Sequence, residues 1–267
     1  MTADREEAMS HDLAGKCALI TGGTGGVGLE TALRLARRGA DVIVTGRTAE
    51  RGEAALARLR EVSDTVTFEQ SDATDPADLT SLMDRVGGRF DGGIDMLVSA
   101  GSAPDLGPTP FAEMSFEQIQ QAIDSRLQPR IFPVRAALPA LRVRGGSVVL
   151  LTTDAARHPT PGESVVGAVG AAVILFTKAL AREFARWAIR VNGVAMTITS
   201  DTPSWDRIFA GESFQSRLFT KAVQRFPQGR PPTAAEVADV AAFLAADAGQ
   251  VTGQTVSVNG GLSFGGW

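Results

Sequence analysis

The sequence predicts a doubly wound α/β fold, a parallel sheet with helices on both faces, built as a single domain. Three observations carry that expectation. Short apolar runs alternate with helical patterns at intervals of about 25 residues, the rhythm of repeated strand–helix units. Most of those runs are continuously apolar rather than alternating, so both faces of each strand are covered. No linker, low-complexity tract or internal repeat divides the 267 residues, a length that suits one large α/β domain.

The elements follow in order. Residues 16–21 (KCALIT) form a first strand that ends in the glycine-rich TGGTGGVG. The helix after it places Val27, Leu29, Leu33, Leu35 and Ala36 on one side, and Arg37-Arg38-Gly39 closes it. Strands are expected at 41–45, 65–70 and 94–99, with helices at 50–62 and 77–86 between them. Across 111–141 two helices are expected, because Pro129, Pro133 and Pro139 interrupt the pattern. A fifth strand at 147–151 leads to a long Ala/Val helix at 166–185. Residues 189–195 form a sixth strand, 234–245 a helix and 255–258 a last strand. Residues 1–12 are expected to be flexible.

Composition excludes several functions. A net charge of −4, from 26 Lys+Arg against 30 Asp+Glu, gives no electrostatic case for nucleic acid or an acidic membrane. No apolar run is read as a membrane span, and the polar start MTADREEAMSHDLAGK suggests a cytoplasmic protein. One cysteine and two histidines, at 11 and 158, offer neither a disulfide nor an ordinary zinc site. Cys17 reads as a small core residue of the first strand. The chain has no tyrosine, so tyrosyl acid–base chemistry is unavailable to it.

Gly22, Gly26 and Gly28 stand between a strand and a helix. Glycine there permits a tight turn, close backbone approach to a pyrophosphate and close helix–strand packing. That context points to a Rossmann-type dinucleotide site. After the second strand an acidic residue would bond the adenine ribose 2′-hydroxyl; here Gly46, Arg47 and Thr48 follow. A guanidinium in place of a carboxylate favours a 2′-phosphate, hence NADP(H) ahead of NAD(H).

From about residue 13 to 262 the sequence resembles the short-chain dehydrogenase/reductase family. Residues 21–28 match its T-G-x-x-x-G-x-G, Asp72 its third-strand aspartate, and 94–98 the approach to its fourth strand. Arg190-Val191-Asn192 match its R-V-N, and Thr252-Gly253-Gln254 with Asn259-Gly260-Gly261 its closing motifs. The resemblance implies a nucleotide site made by Gly22, Thr24, Gly26, Val27 and Gly28, with Arg47 and Thr48 after the second strand. Asp72 and Ala73, Ala100 and Gly101, and Thr197 complete it from the later strands. It also implies a substrate lid at 202–230 and a homotetramer or homodimer, with the 264–267 tail reaching a neighbouring subunit.

The catalytic positions depart from the family. Its N-N-A-G reads Val98-Ser99-Ala100-Gly101, its helix asparagine falls at Arg126, and its Pro-Gly after the sixth strand reads Met196-Thr197. Val166 stands at the catalytic tyrosine, Gly170 at the lysine and Thr153 at the serine. In the family the tyrosine protonates a nascent alkoxide while the lysine lowers its pKa and holds the nicotinamide ribose; valine and glycine do neither.

Thr153 and Asp154 are the candidate replacements, a hydroxyl that polarises a substrate oxygen and a carboxylate that acts as an acid or holds a cation such as an iminium. Arg126 binds a substrate carboxylate or fills the vacated relay with a salt bridge. His158 and Glu163 are further candidates in the same loop, and Ser99 is expected to touch the cofactor through its backbone. Eight large apolar residues between Trp205 and Phe226, at near-helical spacing, suggest a helical lid over an apolar pocket. Three functions stay open: an NADP(H)-dependent reductase with a non-tyrosine site acting on an activated C=N, C=C or C=O of an apolar small molecule; a non-redox isomerase, cyclase or lyase; or a cofactor-binding pseudoenzyme, such as the inactive subunit of a hetero-oligomer with an active homologue.

Overall fold

The computed structural model describes residues 12–88, 91–101 and 107–264. The expected flexible start therefore lies outside the described residues except for Asp12, which pairs with Arg38; the tail beyond Phe264 also lies outside them. Seven parallel strands are arranged in the order β3-β2-β1-β4-β5-β6-β7. They are β1 Cys17–Thr21, β2 Asp41–Gly46, β3 Val66–Gln70, β4 Met96–Ser99, β5 Gly146–Thr153, β6 Ile189–Met196 and β7 Thr255–Val258. The helices are α1 Gly26–Arg37, α2 Ala49–Arg60, α3 Pro76–Gly87, α4 Phe116–Arg144, α5 Ser164–Phe184, α6 Pro203–Phe209, α7 Phe214–Val223 and α8 Ala234–Ala246.

The unbroken apolar runs have a direct cause. Successive strand residues point to opposite faces, so Ile20, Val44, Val98, Val149 and Val194 pack beneath α1, α2 and α8. Their neighbours Leu19, Ile43, Leu97, Leu150 and Val191 pack beneath α3, α4 and α5. Truncating a fully buried leucine such as Leu150 to Ala would cost roughly 2–5 kcal/mol. Cys17 belongs to this second core, and burial together with the Asp95 charge pushes its thiol up to about 12.

Two boundaries differ from expectation. Residues 111–141 do not form two helices: a single turn at Phe111–Glu113 precedes one 29-residue helix, α4, that contains all three prolines. A Ser115–Gln118 capping box starts it. Pro133 cannot donate to the Pro129 carbonyl, and the buried Ser99 hydroxyl does so instead, at 2.6 Å. Packing on the sheet therefore overrides the local breakers. The second difference is α5. With the turn after it, Ser164–Trp187 is long and apolar enough to cross a membrane by length and composition, yet half of its most apolar window is buried inside the fold. It is a core helix against β5 and β6.

Candidate active site

The strand order reverses between β1 and β4, the place where open α/β sheets bind ligands. A cleft of about 1040 Å3 opens there, and every residue assigned above to nucleotide binding or catalysis, apart from Ser99, lines it.

The glycine loop forms one wall. Gly22 has φ +73°, and a Cβ on it would stand 2.3 Å from the Gly101 Cα; one on Gly28 would stand 2.3 Å from the Gly22 carbonyl oxygen. Loop, helix start and β4 end are in contact that only glycine allows, leaving the α1 N-terminus open to a phosphate. Arg47 and Thr48 are exposed at the β2 end of the cleft. Arg51 joins them, with its Nη2 lying 3.2 Å from where a Gly25 Cβ would be. The sequence reading missed Arg51; its signal was the four-residue step from Arg47 into the first turn of α2. Asp72 lines the cleft with Oδ1 accepting from the Thr74 amide and hydroxyl at 2.9 and 2.7 Å. This cradle fits a dinucleotide: its glycines leave the room and its two guanidinium groups the charge that a phosphorylated adenosine needs.

The inner end combines β5, the loop after it, α4 and α5. Thr153 lies half-buried, and its Oγ1 accepts from the Ala155 amide at 3.2 Å. Val166 and Gly170 also line the cleft, Gly170 directly against Thr153. Glu163, at the N-cap of α5 without a capping bond, faces the same space. Burial pushes its carboxyl up to about 7, against the Thr160 hydrogen bond and the Arg126 charge that lower it. Arg126 is in turn pushed down by burial and raised by Glu163, so the two form one electrostatic unit. Four residues on, Arg130 is buried at the cleft's inner end. His158 lines the cleft with a buried Nε2 that has no partner among the described residues.

Two expectations are corrected here. Asp154 is 4% exposed and its oxygens are occupied: Ser257 Oγ donates to Oδ1 at 3.1 Å, and Asn259 Nδ2 (3.0 Å) and Ser263 Oγ donate to Oδ2. It ties the end of β7 and the following turn to the cleft floor, so an acid role or a grip on a cationic substrate is not what its geometry serves. Ser99 is fully buried and outside the cleft lining, because as the last residue of β4 it is still paired with Thr21 and Leu150 inside the sheet.

The expected helical segment, α6 and α7 with the turn that follows, contributes to the cleft lining. It presents Ile208, Leu218 and Phe219 but also Arg207, Lys221 and Arg225, so its underside is not the purely apolar surface anticipated. Much of the apolar stripe is used elsewhere: Trp205, Phe209 and Val223 pack around Ile198, Phe219 and Phe226.

A glycine cradle at the switch point of a doubly wound sheet defines a dinucleotide-binding protein. A profile of the family described as enoyl-(acyl carrier protein) reductase matches residues 22–263. A 1-cyclohexenylcarbonyl-CoA reductase of Streptomyces collinus is 31% identical, over 98% of this chain and 89% of its own. A 2,5-dichloro-2,5-cyclohexadiene-1,4-diol dehydrogenase of Sphingobium indicum is 30% identical, over 96% and 100%. Among solved structures, an NADPH-bound short chain oxidoreductase of Pseudomonas aeruginosa, described as containing an atypical catalytic center, superimposes with TM-score 0.86 at 28% identity, over 96% of this chain and 100% of that one. The chain belongs to the short-chain dehydrogenase/reductase family.

Proposed function

We propose that the protein is an NADP(H)-dependent reductase with a non-tyrosine site, acting on an activated double bond of a small molecule. The observation that carries this reading is the pairing, in one cleft, of an intact nucleotide cradle with the Glu163 carboxyl that titrates near neutral pH. A carboxyl poised there suits an enzyme, because proton transfer works best when the pKa lies near the working pH. The NADPH bound in the Pseudomonas aeruginosa relative supports the cofactor, and Arg47 with Arg51 supports the phosphorylated form over NAD(H). Both named relatives act on cyclohexene or cyclohexadiene compounds, which supports an activated C=C or the carbonyl conjugated to it.

NADPH, when bound, supplies the hydride. This chain's residues do the rest. The loop glycines and Arg47 hold the nucleotide. The Thr153 hydroxyl polarises the substrate oxygen. Glu163, protonated below about pH 7, delivers the proton that the family's tyrosine would give, and the Arg126 charge beside it stabilises the carboxylate left behind. Val166 contributes an apolar surface that excludes water.

The test is label transfer from deuterated NADPH to cyclic enones and enoyl compounds. Label in the product supports the reading. Tight NADPH binding with no label in any acceptor sinks it in favour of a cofactor-binding pseudoenzyme.

A further inference from the structure

Arg130 has no role in the chemistry described so far, and its setting is costly. Its side chain is buried, with the residue only 8% exposed, yet it lines the inner end of the cleft. Its Nε donates to the carbonyl of Leu151, one residue beyond the last β4–β5 pair, Ser99 with Leu150. That bond fixes the guanidinium in the crevice where β4 stops and β5 continues. Its Nη1 is buried and has no partner among the described residues. Burial, and then the Arg126 charge one turn away, push its pKa down to about 10, which still leaves a cation at neutral pH.

A buried cation with an unmet donor is destabilising unless something completes it. The carboxylates lining the cleft do not. Asp154 is held by Ser257, Asn259 and Ser263, Asp72 by Thr74, and Glu163 faces Arg126. With Nε engaged, the guanidinium keeps its terminal N–H groups, which suit the two oxygens of a carboxylate. Arg207, Lys221 and Arg225 line the same cleft, so its cations outnumber its carboxylates and its field favours an incoming anion.

We propose that Arg130 is a substrate-anion site and that the substrates carry a carboxylate, making them unsaturated or oxo acids rather than neutral ketones or cationic imines. The proposal rests on reading the cleft as a reductase site and narrows its substrate class. The same guanidinium chemistry would also suit a cofactor phosphate, and the experiment separates the two.

The experiment is calorimetric titration of the protein, saturated with NADP+, with cinnamate and with cinnamamide, which share an apolar body and differ in charge. Wild type is expected to bind cinnamate at least about tenfold more tightly. Arg130→Met should bind the two alike while its NADPH affinity stays within about threefold of wild type, and Arg130→Lys should keep part of the preference. Circular dichroism and NADPH binding report folding; if Arg130→Met fails to fold, the wild-type preference and its reduction in Arg130→Lys decide. Equal binding by wild type, no measurable binding of either compound, or a preference that survives in Arg130→Met overturns the proposal. A tenfold or greater loss of NADPH affinity in a folded Arg130→Met assigns the residue to the cofactor and overturns it as well. Failure of label transfer alongside a clear cinnamate preference would remove the reductase reading and leave the anion site standing.

Discussion

A Cβ placed on Gly170 would stand 2.6 Å from the Thr153 Cγ2 and 2.9 Å from the Ala156 Cβ. Helix α5 thus sits on the end of β5 on condition that residue 170 has no side chain. The missing lysine is a feature of the packing and not a single replaceable residue. Gly170→Ala gains up to about 1 kcal/mol of helix propensity, but overpacking against two short, stiff side chains costs roughly 1–3 kcal/mol. A net loss of stability is expected in urea denaturation; an Ala variant as stable as wild type would contradict the packing account. Restoring the family pair in Val166→Tyr/Gly170→Lys should lower stability further and give no turnover of simple ketones.

Simple ketones and alcohols are themselves a test. The chain has no tyrosine, so an unactivated carbonyl has no strong proton donor at its alkoxide. Steady-state assays on such compounds should show no turnover above background. Turnover at rates ordinary for the family, from protein freed of host dehydrogenases, would refute the site assignment.

Glu163 ties activity and stability to pH in opposite variants. Its carboxyl is raised from 4.5 to about 7 in the folded protein. The stability it contributes is complete below the unfolded value and declines as pH rises from about 4.5 to about 7, where folding holds the proton and the unfolded chain does not. Glu163→Gln removes that decline, so at pH 8 it should be more stable than wild type by on the order of 1–3 kcal/mol. Activity should move the other way. The wild-type reductive rate falls above about pH 7, and Glu163→Gln loses roughly 10²–10⁴-fold at pH 6 with a flattened profile. A wild-type rate that climbs through pH 8 would rule out a protonated Glu163 as donor.

Nucleotide choice depends on Arg47 and Arg51. Both are exposed, so each is screened by salt, and each replacement by Ala should weaken NADPH by roughly 1–3 kcal/mol at low ionic strength with little change for NADH. Calorimetry that finds NADH the tighter ligand of wild type would reverse the assignment.

The sequence made the sheet legible because its strands are buried on both faces, and the continuous runs around Ile20, Val44 and Val149 reflect two cores at once. The nucleotide end was legible for a similar reason: Gly22 and Gly28 have no sterically possible substitute. The helix through Pro129, Pro133 and Pro139 was not, because its rescue comes from Ser99, 30 residues away in sequence. Asp154 was misjudged because its partners Ser257, Asn259 and Ser263 lie more than 100 positions downstream. The coupling of Glu163 to Arg126 joins two elements in the same way, through a charge interaction that no local spacing encodes.

The most direct measurement is deuterium transfer from NADPH, labelled at the hydride-donating carbon, to a conjugated cyclic acceptor, run in parallel on wild type and Glu163→Gln at pH 6. Label is expected in the wild-type product, with a loss of at least about 10²-fold in the variant and unchanged NADPH affinity. Label appearing equally fast in Glu163→Gln, or in neither protein with any acceptor while NADPH binds, would contradict the proposed mechanism.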